Sequence, residues 1–192
     1  MTIITEIEQR RAKRALDQKP IDPELLERLA QAAHLAPSCA NSQPWRIITV
    51  TESGPLAALK ETLTTGNYWG LKAPAITAIV TSPNWDFKTE DGREFALFDT
   101  GMAAYAYQIQ AVYEGLFVHP IAGFDALKAA AVLGIPEGAK VVTLIILGYP
   151  GSASELNEKH QELEISPRLR KPLNEVFAKD HWSATLIAPA KW

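Results

Sequence analysis

The chain has 192 residues, 47% of them hydrophobic and 21% charged, with a formal net charge of −3 at pH 7. That is the size and composition of one soluble domain with a substantial core, and the net acidity excludes bulk attraction to nucleic acid or an anionic membrane. The single cysteine excludes an internal disulfide framework and suits a reducing cytoplasm, and no apolar run reaches membrane-spanning length.

In chain order, Met1–Arg11 carries acids early and no apolar core, so no signal peptide is expected. Ile4 to Leu16 reads as a helix whose second half holds Arg10, Arg11, Lys13 and Arg14. On such a helix Arg10 and Arg14 share a face, which is either a solvated surface or a clamp for phosphate. Asp22 then caps a second helix with Pro23 at its first position, and Leu25, Leu26, Leu29, Ala32, Ala33 and Ala36 form its apolar stripe.

The stretch Ala36–Arg46 (A-P-S-C-A-N-S-Q-P-W-R) is longer than a minimal turn and is bracketed by Pro37 and Pro44. Ser38, Asn41, Ser42 and Gln43 give it more hydrogen-bonding groups than a connector requires, so it reads as a polar loop or as a rigid ligand-binding edge. Arg46–Thr51 reads as a strand, Pro55–Leu63 as a helix, Gly66-Asn67 as a turn and Ala75–Thr81 as a buried strand. Ser82–Glu94 is a polar segment in which Trp85 and Phe87 either pack on the domain or cover a planar ligand.

Phe95–Gly115 is the longest helix and is apolar around nearly its whole circumference, the pattern of a helix buried on all sides, here partly by a second subunit. Leu116–Ile121 is a short strand, Asp125 caps a helix over Ala126–Leu133, and Lys140–Gly148 is a strand buried on both faces. Ser152–Ser166 reads as a polar surface excursion, followed by a second basic cluster, Pro167-Arg-Leu-Arg-Lys-Pro172, and a short helix over Leu173–Ala178. The apolar tail from Trp182 to Trp192 has little chain after it to bury it and is expected to dock on a partner subunit.

His34, His119, His160 and His181 are scattered, and none stands at metal-ligand spacing to Cys39. The chain has no G-x-G-x-x-G, no P-loop and no G-x-S-x-G elbow. Cys39 alone, with no base placed beside it, reads as a packing residue. Two arginine clusters, a proline-framed polar loop and a P-I-A-G turn suit an anionic, planar cofactor better than a protein-borne triad.

The segments Arg10-Arg-Ala-Lys-Arg14, Ala36–Trp45, Asp99-Thr-Gly-Met-Ala103, Gly115-Leu116, Pro120–Asp125, Leu147–Pro150 and Arg168–Leu173 together resemble the FMN-dependent nitroreductases over almost the full length. The resemblance implies an α+β fold, a central and mostly antiparallel sheet flanked by helices, in an intertwined homodimer. It implies one FMN-binding domain over residues 1–192, with a tail from about 181 to 192 docked on the partner.

By the same resemblance Arg10, Arg168 and Arg170 grip the FMN phosphate, with Arg11 and Ala12 alongside, and Arg14 approaches the N1/O2 edge of the ring. Pro37, Ser38, Cys39 and Asn41 reach the flavin of the other subunit. Pro120 and Ile121 lead into the Ala122 and Gly123 amides, which face N5 and O4, and Asn67 is a candidate for the pyrimidine edge. The implied activity is a cytoplasmic oxidoreductase that takes hydride from NAD(P)H and reduces nitroaromatics, quinones or related small acceptors, with the chemistry at flavin N5 and no protein acid or base.

Reductive dehalogenation, flavin fragmentation and a flavin-binding module without turnover are the alternatives. Ala12 stands where many relatives have serine, Cys39 replaces a frequent second serine, and the segment between Thr81 and Asp99 is short.

Overall fold

The computed structural model describes residues 2–187. Its centre is one sheet of four strands, β1 (Trp45–Val50), β2 (Ala75–Thr81), β3 (Phe117–Ile121) and β4 (Lys140–Gly148), in the order β1-β2-β4-β3. Every neighbouring pair is antiparallel. β2 and β4 occupy the middle, which is why their sequences read as near-continuous apolar runs: side chains alternate to two faces, and both faces are covered.

Ile76, Ala78, Val80, Leu144 and Ile146 enter one core with α3 (Ser53–Lys60) and α5 (Ala126–Val132), through Leu56, Leu59 and Ala129. Ala75, Ile79, Ile145 and Leu147 enter the other with α2 (Pro23–His34) and α4 (Ala96–Tyr113), through Leu25, Leu29, Ala103 and Tyr107. The result is a three-layer α+β domain. The Thr77 hydroxyl, fully buried, bonds both Thr49 Oγ1 at 2.9 Å and Tyr107 OH at 2.7 Å, so the polar atoms at the centre of the second core satisfy one another.

Local signals account for most element ends. Asp22 accepts from the Glu24 amide at 2.8 Å with Pro23 opening α2, and Asp125 accepts from the Lys128 amide at 3.0 Å at the start of α5. Phe95 offers α4 no side-chain cap; Asp86, nine residues earlier, accepts from the Phe95 amide at 2.7 Å instead.

Two expectations are corrected. The first helix, α1, covers only Thr5–Gln9; Arg10 leaves it with ψ 116°, so Arg10 and Arg14 share no helical face. The chain beyond it is drawn out beside the sheet, where the Asp17 amide donates to the Tyr149 carbonyl and the Gly151 amide to the Ala15 carbonyl, both at 2.9 Å. Within a single chain the long helix α4 leaves Leu97 65% and Phe98 62% exposed, the side expected to be covered by a second subunit. Ser152–Ser166 contains a helix, α6 (Glu158–Ile165), capped by Asn157 through the His160 amide at 2.9 Å.

Between α3 and β2 runs a kinked 3-10 segment, Thr65–Lys72, and the Leu173–Ala178 helix is a 3-10 turn over Leu173–Glu175. The expected tail docking falls partly on residues 188–192, which lie outside the described residues; Trp182, within them, is 74% exposed. No helix among the described residues is long and apolar enough to cross a membrane.

Candidate functional site

Arg10, Arg11, Ala12 and Arg14 form one wall of a cleft of about 260 Å³, and Arg168 and Arg170 stand on the other. The walls come from opposite ends of the chain and are stitched together. Arg11 donates to the Ser166 carbonyl at 2.7 Å. Arg168 donates to the carbonyls of Ile7, Glu8 and Arg10, the last at 2.6 Å, and so satisfies the exposed end of α1. Lys13 Nζ contacts the buried carboxylate of Glu164, and Glu164 Oε1 accepts from the Arg14 amide at 2.8 Å.

None of Arg10, Arg11, Arg168 and Arg170 has a carboxylate partner among the ion pairs of the described residues. Burial, followed by the neighbouring charges of Arg168, Arg170 and Arg11, lowers the Arg10 pKa, the phenol of Tyr105 acting the other way. Four guanidiniums around one cleft without an anion make a donor set that fits a phosphate dianion, which needs several convergent cations. Ala12 contributes no side-chain donor.

From this cleft a continuous strip runs to the edge of the sheet. The Arg14 guanidinium lies 6.0 Å over the ring of Trp69, and Trp69 stacks on His119 of β3 with ring centroids 4.6 Å apart. Two residues before Trp69, Asn67 reaches the turn after β3, where Asn67 Nδ2 donates to the Gly123 carbonyl at 2.8 Å. That same oxygen also accepts from the Thr64 amide and the Thr64 hydroxyl, both at 3.0 Å.

Three donors on one carbonyl fix the plane of the turn. They also explain the glycine: a Cβ at position 123 would lie 2.5 Å from Asn67 Nδ2 and 2.7 Å from Thr64 Oγ1. Outside the strand ladder, neither the Ala122 nor the Gly123 amide donates to another described group. Ile121 is buried in the core, and Pro120 is tolerated within β3 because β3 is an edge strand.

His119 Nδ1 faces the Lys13 carbonyl at 3.1 Å, and since a carbonyl only accepts, Nδ1 carries the proton. Burial, with the Arg14 guanidinium second, holds the His119 imidazole down to about 4, against the opposing effect of the Lys13 hydrogen bond. His119 is therefore a neutral layer between Trp69 and the sheet.

The loop with Pro37, Ser38, Cys39 and Asn41 stands apart from this strip. It precedes β1, whereas the Ala122–Gly123 turn follows β3, and these are the two outer strands of the sheet. Three inter-strand spacings separate them by about 14 Å. Ala40, Asn41 and Gln43 have φ of 48°, 56° and 49°, left-handed values that cost non-glycine residues about 1 kcal/mol each.

Internal hydrogen bonds hold that shape: the Gln43 amide donates to Ser38 Oγ at 3.0 Å, and Gln43 Nε2 donates to Asn41 Oδ1 at 3.0 Å. Asp99, on α4, accepts from the Cys39 amide at 2.9 Å. Trp85 in the following segment is covered by the Arg46 guanidinium at 4.5 Å and packs on the domain, whereas Phe87 is 45% exposed.

Sequence reasoning missed Glu164, Thr64 and His119 as parts of the site. Glu164 lay in a stretch read as surface, and no local pattern marks a carboxylate whose partners are 150 residues away.

The description of the Nitroreductase family matches residues 7–64 and 55–149. A solved structure described as an oxidoreductase containing FMN superposes with a TM-score of 0.86 at 27% identity, covering 95% of this chain and 94% of that one. A 15.4 kDa protein in the ask 5'region of Mycolicibacterium smegmatis is 32% identical over 67% of this chain and 90% of its own length. The NADH dehydrogenase of Thermus thermophilus is 26% identical over 74% of this chain and 83% of its own. The chain belongs to the nitroreductase family. It is an oxidoreductase with the nitroreductase fold.

Proposed function

We infer that this chain binds FMN and passes reducing equivalents from NAD(P)H to a small electron acceptor such as a nitroaromatic or a quinone. The observation that carries this reading is the cleft of about 260 Å³ lined by Arg10, Arg11, Arg168 and Arg170, cations left without a carboxylate among the described residues. FMN, when bound, supplies hydride acceptance and donation at N5, in a ping-pong cycle in which donor and acceptor use the same pocket in turn.

The chain's own residues bind and orient. Arg10, Arg168 and Arg170 hold the phosphate with Arg11 and Ala12 alongside, and Arg168 also fixes the Arg10 carbonyl. Arg14 faces the N1/O2 edge, where a cation stabilises negative charge and raises the reduction potential. The Ala122 and Gly123 amides, following Pro120 and Ile121, donate toward N5 and O4, with Asn67 at the pyrimidine edge. Pro37, Ser38, Cys39 and Asn41 close the flavin edge of a second copy of the chain. The separation of that loop from the Gly123 turn across the whole width of the sheet supports a site built from two chains.

The open apolar side of α4 supports a homodimer in which residues 1–192 form one domain and the tail from about 181 to 192 docks on the partner. The single cysteine supports a cytoplasmic setting.

The test is the visible spectrum of the purified chain, identification of the chromophore released by heat, and anaerobic mixing with NADH and NADPH. A yellow protein that releases FMN and is bleached by a nicotinamide is the expected result. A colourless protein that takes up no FMN, or a holoprotein reduced by neither nicotinamide, overturns the reading.

A further inference from the structure

Two carboxylates among the described residues are almost fully buried, Asp99 and Glu164. Glu164 has Lys13 as its cation. Asp99, 1% exposed, has none among the ion pairs of the described residues. It stands in the first turn of α4, where the helix amides favour a negative charge, and its Oδ2 accepts from the Cys39 amide 60 residues earlier in the chain, at 2.9 Å.

The segment that Asp99 holds is the strained one. Ala40 and Asn41 follow Cys39 directly with φ of 48° and 56°. The other braces are local or lie beyond it: the Asn41 amide donates to the Ser38 carbonyl at 3.1 Å, the Ser42 amide to the Cys39 carbonyl at 3.0 Å and the Gln43 amide to Ser38 Oγ, while the Thr81 hydroxyl donates to the Pro44 carbonyl at 2.7 Å. Among the described residues, the bond to Asp99 is the one hydrogen bond that ties Ser38–Asn41 to an element outside the loop. Alanine and asparagine held in the left-handed region return to ordinary backbone once the surroundings cease to over-determine them.

We propose that Asp99 is a positioning residue of the flavin site, holding the Ser38–Asn41 edge, with Ala40 and Asn41 left-handed, in place before any cofactor arrives. The proposal rests on the FMN reading for its consequence but not for its geometry. The carboxylate acts through the Cys39 amide and touches no ligand. Pre-organisation of this kind shows in affinity, because an edge that is already ordered loses less freedom when it binds.

The experiment uses the full-length chain as wild type, Asp99→Ala and Asp99→Asn. Three quantities are read: exchange of the Cys39 amide in the absence of FMN, the FMN dissociation constant from flavin fluorescence, and the melting temperature. Asp99→Ala is expected to speed Cys39 exchange and to weaken FMN binding roughly tenfold or more, the effect of leaving a partly buried donor unpaired and its loop untied. Asp99→Asn, whose amide oxygen takes the same N–H, stays within about threefold of wild type in both.

Wild-type affinity in Asp99→Ala, or equal losses in the two variants, overturns the proposal, as does a lowered melting temperature with unchanged affinity of the folded fraction. Should Asp99→Ala fail to fold, the wild-type chain decides: a Cys39 amide that exchanges as freely as an exposed one overturns the pin. If wild type takes up no FMN, the functional reading falls, while Cys39 exchange still tests the contact itself.

Discussion

The Arg168 guanidinium donates to the carbonyl oxygen of Arg10 at 2.6 Å, so one arginine of the cleft is spent on holding another. The two therefore respond differently to substitution. Arg168→Gln removes hydrogen bonds that finish α1 and is expected to destabilise the flavin-free chain by about 1–3 kcal/mol. Arg10→Gln removes a charge disfavoured by burial and by Arg168, Arg170 and Arg11, and leaves the flavin-free chain as stable as wild type or more so. Both variants lose the rise in melting temperature that inorganic phosphate or FMN gives wild type. Thermal denaturation with and without phosphate checks both halves.

At the other end of the strip, Gly123→Ala places a methyl group against Asn67 Nδ2 and Thr64 Oγ1, both rigidly held. The turn must shift, and FMN affinity is expected to fall roughly tenfold or more, in line with an overpacking cost of about 1–3 kcal/mol. Asn67→Ala alone loses one hydrogen bond to the Gly123 carbonyl, about 1 kcal/mol. In the double variant the clash with Asn67 is gone and only that with Thr64 Oγ1 at 2.7 Å remains, so the two losses are smaller together than their sum. A double-mutant cycle on the FMN dissociation constant measures this, and strict additivity contradicts it.

His119 gives the fold a defined acid sensitivity. Its folded pKa of about 4 lies below the ordinary 6.5, so the unfolded chain takes up a proton first as pH falls. Stability contributed by the neutral imidazole is complete above about pH 6.5 and drains away between there and about pH 4, a loss of about 3 kcal/mol. His119→Phe keeps a ring against Trp69 and removes the titration. Its stability curve from urea melts is expected to be flatter than wild type over that window, and parallel curves would refute the assignment.

Asn41→Ala removes one of the two acceptors that Asn41 offers Gln43 Nε2, leaving the backbone carbonyl, and puts alanine at φ 56°, where asparagine is better tolerated. The chain still folds, since both cores lie elsewhere, and loses about 1 kcal/mol. FMN retention in the dimer weakens. Gel filtration followed by flavin quantification reads the outcome; full occupancy and turnover would show that Asn41 plays no part in the site.

Elements with their own start signals were legible from sequence. Asp22-Pro23 opens α2, Asp125 opens α5, and the apolar runs of β2 and β4 report burial on both faces. α1 was misjudged because what ends it is Arg168, roughly 160 residues away. α6 was missed because it carries no apolar stripe, only its Asn157 cap. The arginine pairs of the site stood out because guanidiniums are costly to gather without an anion. The Thr64–Asn67–Gly123 contact and the buried Glu164 left no trace, since each joins residues whose neighbours in sequence are unremarkable polar groups.

The stitch from Arg11 to Ser166 spans 155 residues. All four strands are complete by Gly148, so a nascent chain that has reached that residue can assemble its sheet while one wall of the anion cleft has yet to be synthesised. On the FMN reading, cofactor capture is a closing event and not a seed for folding. Occupancy of the cleft would report that both arginine walls, Arg10–Arg14 and Arg168–Arg170, have been made and have met.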